Sequence, residues 1–339
     1  MEFQSKPITS RSPALLTRMR LGAQLWLMKM VVAAFTLIQG RRISRLPLHQ
    51  KPTYTKYYGP VAAESRIFIP KSYKPGDPPL PLLIDIHGGG FCIGSPMLDD
   101  PDNLILAHTH SFCVVSIPYR LGPRFKFPIA PKDCAAAITA VLDDDSLPVD
   151  KSRVAVAGYS AGGNLALTAT QLPGVKGRIK GVAAYYPVTD FTLTIDQKIA
   201  GQKVAPDGKD VLHWMSPMFN NGYLEHDVDR KDPLLSPIFA KREDLPEHIS
   251  ILGCEYDMLC KEAESMAENL ATLEAGEKTP LLDGKVGWTK GSVRWELIEG
   301  EKHGFNQSPV RGEKGRLMRE KATRMHGGIA EWLKKEVYT

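Results

Sequence analysis

No two cysteines in this chain stand at C-x-x-C spacing, and the five present (92, 113, 134, 254 and 260) are odd in number. That usage argues against a disulfide framework and for free thiols in a reducing, cytoplasmic setting. There is no H-E-x-x-H, and the nine histidines do not cluster at ligand spacings, so no metal is expected. No G-x-G-x-x-G or G-K-[ST] follows a glycine run, which sets aside a nucleotide cofactor. The formal charge of +5 on 339 residues is modest, and the basic residues form no stripe interleaved with aromatics. Nucleic acid is therefore not an expected partner. The first dozen residues lack the signal-peptide pattern of a short basic segment followed at once by an apolar run. Internal repeats and low-complexity tracts are missing too.

What is present is a chain with 43% hydrophobic residues, long enough to bury a large core. Its most apolar stretch, 21–38, is interrupted by Gln24 and Lys29, and basic residues flank it at 18, 20, 41 and 42. Only 30–38 approaches an unbroken apolar run, too short to span a bilayer. The expectation is an amphipathic helix packed over a pocket, with peripheral membrane contact as the alternative.

Short apolar runs at 66–69, 82–86, 112–117, 154–157, 181–186, 249–252 and 293–298 read as strands. Helical runs at 102–109, 134–142, 261–274 and 319–335 fall between or after them. This alternation predicts an α/β fold, a mostly parallel sheet with helices on both faces. Residues 190–235 break the rhythm and read as an insertion above the sheet. Residues 276–291 read as a long loop rich in Gly and Lys.

Gly158-Tyr159-Ser160-Ala161-Gly162 lies between a strand and a small-residue helical run. A serine on such a sharp turn presents its hydroxyl from a rigid elbow. Asp85-Ile86-His87-Gly88-Gly89-Gly90-Phe91 follows another strand directly. The N–H groups of Gly88 and Gly89, with that of Ala161, can converge on an oxyanion. A serine nucleophile also needs a base and an orienting carboxylate. Asp257 and His303 lie just past two late strands, 97 and 143 residues after Ser160, in the order Ser, acid, His. Glu255 is the competing acid. His87, His248 and His326 are read as structural.

These segments resemble the hormone-sensitive-lipase-like branch of the α/β-hydrolases, a group of carboxylesterases and lipases. The resemblance spans about 60–335 and is carried by His87-Gly88-Gly89-Gly90-Phe91, Tyr119-Arg120-Leu121, Gly158 to Gly163 with Asn164, Asp232-Pro233-Leu234, Tyr256-Asp257 and His303-Gly304-Phe305. It implies an α/β-hydrolase fold with a helical cap made from residues 1–50 and 190–235. The core would be 51–189 and 236–339. The implied triad is Ser160, Asp257 and His303, with Gly88, Gly89 and Ala161 as oxyanion donors. Tyr159 departs from the acidic residue usual before the nucleophile, and Gly122-Pro123-Arg124 from the usual A-P-E.

The expected substrate is a small carboxylic ester with an apolar or aromatic group. Phe91, Tyr159, Trp214, Met215, Met218 and Phe219 are candidate pocket residues. A lactonase, thioesterase or acyltransferase acting on a polyketide-like substrate would use the same residues. A non-catalytic receptor on this scaffold is a third reading, and a homodimer is left open.

Overall fold

A computed structural model describes residues 14–208, 210–307 and 312–339. The expected start of the N-terminal segment, 1–13, lies outside these. In chain order the elements are α1 (Leu15–Ser44), β1 (Tyr54–Lys56), β2 (Ser65–Phe68), β3 (Leu80–Ile86), α2 (Asp100–His110), β4 (Cys113–Ile117), α3 (Ile129–Leu142), β5 (Val149–Tyr159), α4 (Ala161–Ala169) and β6 (Gly181–Tyr185). There follow α5 (Ile195–Ala200), α6 (Leu212–Tyr223), β7 (His248–Cys254), α7 (Cys260–Thr272), β8 (Thr279–Pro280), β9 (Val286–Lys290), β10 (Val293–Ile298) and α8 (Gly312–Trp332).

The strands form one sheet in the order β1-β2-β4-β3-β5-β6-β7-β10-β9-β8. Its centre, β4-β3-β5-β6-β7-β10, is parallel throughout. The strands are buried on both faces, which is why they read as nearly continuous apolar runs. Alternation sorts their side chains into two cores. Leu82, Ile84, Val154 and Val156 face α3, α4 and α7, while Leu83, Ala155, Ala157 and Tyr159 face α2 and α8.

The expected loop at 276–291 is instead an antiparallel extension of the sheet through β8 and β9. Trp288 of β9 stands opposite Trp295 of β10. Trp295 lies in the buried core and Trp288 packs against that core, apolar burial that the glycine and lysine content conceals.

Helix α1 is also longer than the unbroken run at 30–38 suggested. It has 30 residues, and an 18-residue window with a mean hydropathy of 1.7 makes it long and apolar enough, by length and composition, to cross a membrane. It nevertheless lies along the protein, packed on α6. Leu25 is fully buried, and the Lys29 ammonium donates to the carbonyls of Cys92 at 2.5 Å and Gly122 at 2.8 Å. Lys29 interrupts the apolar run in sequence, yet on the helix it turns inward. Burial lowers its pKa from the ordinary value, with Cys92 opposing.

Lys29 therefore clamps α1 to the loops after β3 and β4. Replacing it with Ala leaves two carbonyls without their donor and should destabilise the protein by about 1–3 kcal/mol. A urea midpoint equal to that of the unaltered protein would contradict the clamp.

Candidate active site

Strand β5 ends at Tyr159, and α4 begins at Ala161, so Ser160 alone makes the turn. Its φ of 55° and ψ of −115° are unfavourable for a residue with a Cβ. Surrounding backbone over-determines this geometry. Ser160 N donates to Tyr185 O at 2.9 Å, and Asn164 N donates to Ser160 O at 3.1 Å. A Cβ on Gly162 would collide with the Ile86 carbonyl, and one on Gly158 with the Gly162 carbonyl. The two glycines are thus required for close approach between β5, α4 and β3.

The turn aims the Ser160 hydroxyl at His303. Ser160 Oγ lies 2.8 Å from His303 Nε2, and His303 Nδ1 lies 2.6 Å from Asp257 Oδ2. With the proton on Nδ1, the ring donates to Asp257 and accepts from Ser160. Asp257 is fully buried, and its other oxygen accepts from Leu259 N at 2.8 Å. Glu255, the competing acid, points elsewhere. It pairs with Lys203 at 3.0 Å and accepts from Gly300 N at 2.8 Å.

The turn carrying His303 is itself anchored. Tyr186 packs edge-on against the imidazole at 4.9 Å and donates to Asn306 Oδ1 at 2.6 Å. Asn306 in turn donates to Asp102 of α2 at 2.7 Å.

Burial opposes charge on His303, but the Asp257 carboxylate outweighs it, and Asp210 adds to the effect. The pKa of the imidazole is raised as a result. Asp210 was not singled out by sequence reasoning. It is a buried carboxylate just before α6, and burial followed by the Asp257 charge raises its own pKa. No motif marks it, because it reaches His303 only through the folding of the insertion.

The loop after β3 lies beside Ser160. A Cβ on Gly88 would lie 3.0 Å from Tyr159 O and 3.6 Å from Ser160 Cβ. Gly89 has a φ of 115°, and a Cβ there would strike the Ile93 carbonyl. Among the described residues, neither Gly88 nor Gly89 donates its N–H to a backbone carbonyl. Ala161 N opens α4 on the other side of the serine, where helix N–H groups have no intrahelical acceptor. His87 is buried, stacks on Tyr119 at 4.4 Å and contacts Gly88 O through Nδ1 at 2.7 Å. Burial pushes its pKa down to about 4, so it is a neutral brace for the loop.

A chamber of about 50 Å³ adjoins Ser160, lined by Phe91, Phe191, Leu212, Ser216, Phe219 and Met258 among others. Phe91 and Phe219 are therefore where the sequence placed them. Four other candidates are not. Tyr159 has the opposite strand parity and stacks on Tyr185 at 4.6 Å in the core beneath the sheet. Trp214 is 59% exposed on the far side of α6. Met215 and Met218 pack into the core without lining the chamber. Leu212, Ser216, Phe219 and Asn220 recur at the helical period, so helix phase, not aromatic or sulfur character, selects the lining. Lys198 also reaches the chamber wall, where its ammonium pairs with buried Glu262 at 2.6 Å.

A second, larger cleft of about 750 Å³ lies between α1 and the loop after β3. Its walls include Val32, Leu37, Ile93, Met97 and Leu121.

Residues 83–285 match a family described as alpha/beta hydrolase fold. An arylesterase of Saccharolobus solfataricus is 32% identical over 203 residues, which are 58% of this chain and 64% of that protein. The carboxylic ester hydrolase LipN of Mycobacterium tuberculosis is 35% identical over 215 residues, covering 59% of this chain and 55% of LipN. The matched region thus spans less than two thirds of either curated relative. The hyperthermophilic esterase from the archaeon Pyrobaculum calidifontis superposes with a TM-score of 0.68 at 26% identity, over 95% of this chain and 98% of that one.

The Asp210 carboxylate leads to a direct expectation. In Asp210→Asn the imidazole of His303, followed by its ring NMR signals, should titrate at lower pH than in the unaltered protein. An unmoved midpoint would remove Asp210 from the electrostatics of the site.

Proposed function

The chain belongs to the α/β-hydrolase fold family, and from that membership we propose that it is a serine hydrolase of small carboxylic esters. The continuous contact Ser160–His303–Asp257 is the observation that carries this reading. His303 Nε2 takes the Ser160 proton as Oγ attacks the acyl carbon. Asp257 holds the Nδ1–H tautomer and stabilises the imidazolium that forms. The N–H groups of Gly88, Gly89 and Ala161 receive the developing oxyanion, where fixed donors act without reorganisation. His303 then protonates the leaving alcohol. Water, deprotonated by the same ring, attacks the acyl-enzyme and releases Ser160.

The small chamber beside Ser160 favours a short acyl group, and its aromatic and aliphatic walls favour an apolar one. The N-terminal helix and the 190–235 insertion act as the cap, a role supported by the packing of α1 on α6 and by Phe219 in the chamber wall. A reducing compartment suits the five free cysteines, four of them buried.

Ester hydrolysis is measured with p-nitrophenyl butyrate. Ser160→Ala should lower kcat/KM by at least about a thousandfold while the thermal midpoint is kept. A fluorophosphonate probe should label Ser160 and fail to label the variant. Because His303 must be neutral to act as base, kcat/KM should fall as pH drops through a midpoint above the 6.5 of an unperturbed imidazole. Full activity in Ser160→Ala would refute the assignment.

A further inference from the structure

Helix α1 has two dissimilar faces. The inner one, through Leu21, Leu25, Met28, Lys29 and Val32, meets the protein. On the rest of the helix ten large apolar side chains are at least 50% exposed, among them Leu16 at 81%, Leu27 at 60%, Met30 and Val31 at 61%, and Phe35 at 53%. So large a contiguous apolar surface is unusual on a protein surrounded by water.

Charge narrows what covers it. From Leu15 to Ser44 there is no Asp or Glu. Arg18 and Arg20 stand near one end of the apolar stretch, and Arg41, Arg42 and Arg45 at the other. Among the described residues, none of Arg20, Arg41, Arg42 and Arg45 has a carboxylate partner. A second copy of α1 fits poorly. In a parallel or an antiparallel pairing, arginines would meet arginines at both ends. A lipid surface offers hydrocarbon to the apolar face and phosphate oxygens to the guanidinium groups.

We propose that α1 is an in-plane membrane anchor that seats the protein on a bilayer with anionic headgroups. The helix lies flat and does not cross. Crossing would strip Lys29 from the Cys92 and Gly122 carbonyls and carry its ammonium into hydrocarbon. Leu37 belongs both to the exposed face and to the wall of the larger cleft, so the cleft reaches the same edge of the molecule. The anchoring surface does not rest on the ester-hydrolase reading.

The test is co-sedimentation of the full chain with vesicles of phosphatidylcholine alone or with 30 mol% phosphatidylglycerol, the added fraction being about one lipid in three. Binding should be strong on the anionic vesicles and fall with salt. It should drop at least tenfold in Leu27→Asp/Val31→Asp, and likewise when Arg20, Arg41, Arg42 and Arg45 become Gln. Both variants should retain unaltered hydrolysis of soluble p-nitrophenyl butyrate. That readout separates loss of the anchor from failure of the esterase assignment. Absence of binding to either vesicle, or equal binding to both, would overturn the proposal. So would a solution dimer, seen by light scattering, that Leu27→Asp/Val31→Asp dissociates.

Discussion

The close approach of three backbones at Gly162 is the constraint on which the site depends. The carbonyl of Ile86 lies where a side chain would begin, and the Gly162 carbonyl crowds Gly158 in the same way. Only with those positions bare can α4 start directly after β5 and press against the end of β3. Ser160 is then forced to a positive φ, and its hydroxyl leaves the sheet toward His303. The same approach brings the glycine loop after β3 alongside the serine. One steric condition therefore positions two functional parts supplied by different strands. The central place of β3 and β5 in the sheet makes the condition stiff, because both are paired on each side.

Charge in the site follows from how little water reaches it. Asp257 is fully buried, and its two oxygens are taken by His303 and by Leu259 N. Asp210 adds a second carboxylate within electrostatic reach of the ring. Together they overcome the burial that would keep the imidazole neutral. Lys198 and Glu262 show a different solution in the chamber wall, where each buried charge is met by the other. A buried charge without a partner would be strongly unfavourable. Among the described residues His87 has no carboxylate partner, and burial lowers its pKa.

Of the two clefts, only the small chamber is lined by Ser160. The small chamber is closed in by Phe91, Phe191 and Phe219, whereas the large cleft is bounded by α1. Because α1 is tied to the Cys92 and Gly122 carbonyls, its position is coupled to the same loop that presents Gly88 and Gly89. The insertion completes this arrangement through α6, which touches α1 on one side and the chamber on another.

Much of this was legible in the chain itself. Buried parallel strands leave apolar runs, and tight turns leave glycines, because both demands are local. The order Ser160, Asp257, His303 could be read for the same reason, since each residue follows its own strand. Strand β9 was not legible, because it is held by its antiparallel ladder to β10 and by packing of Trp288 on a core drawn from distant segments. Tyr159 was assigned to the pocket by its place beside the serine and Trp214 by its aromatic character, but strand parity and helix phase turned them away. Sequence alone thus determined the layered α/β fold and which residue types stand at the strand ends, through periodicity and backbone sterics. Tertiary structure alone decided which side chains line the chamber, that Asp210 bears on His303, and that Lys29 faces inward so that the apolar side of α1 faces out. Those outcomes depend on distances between segments far apart in the chain, and no local pattern encodes such distances.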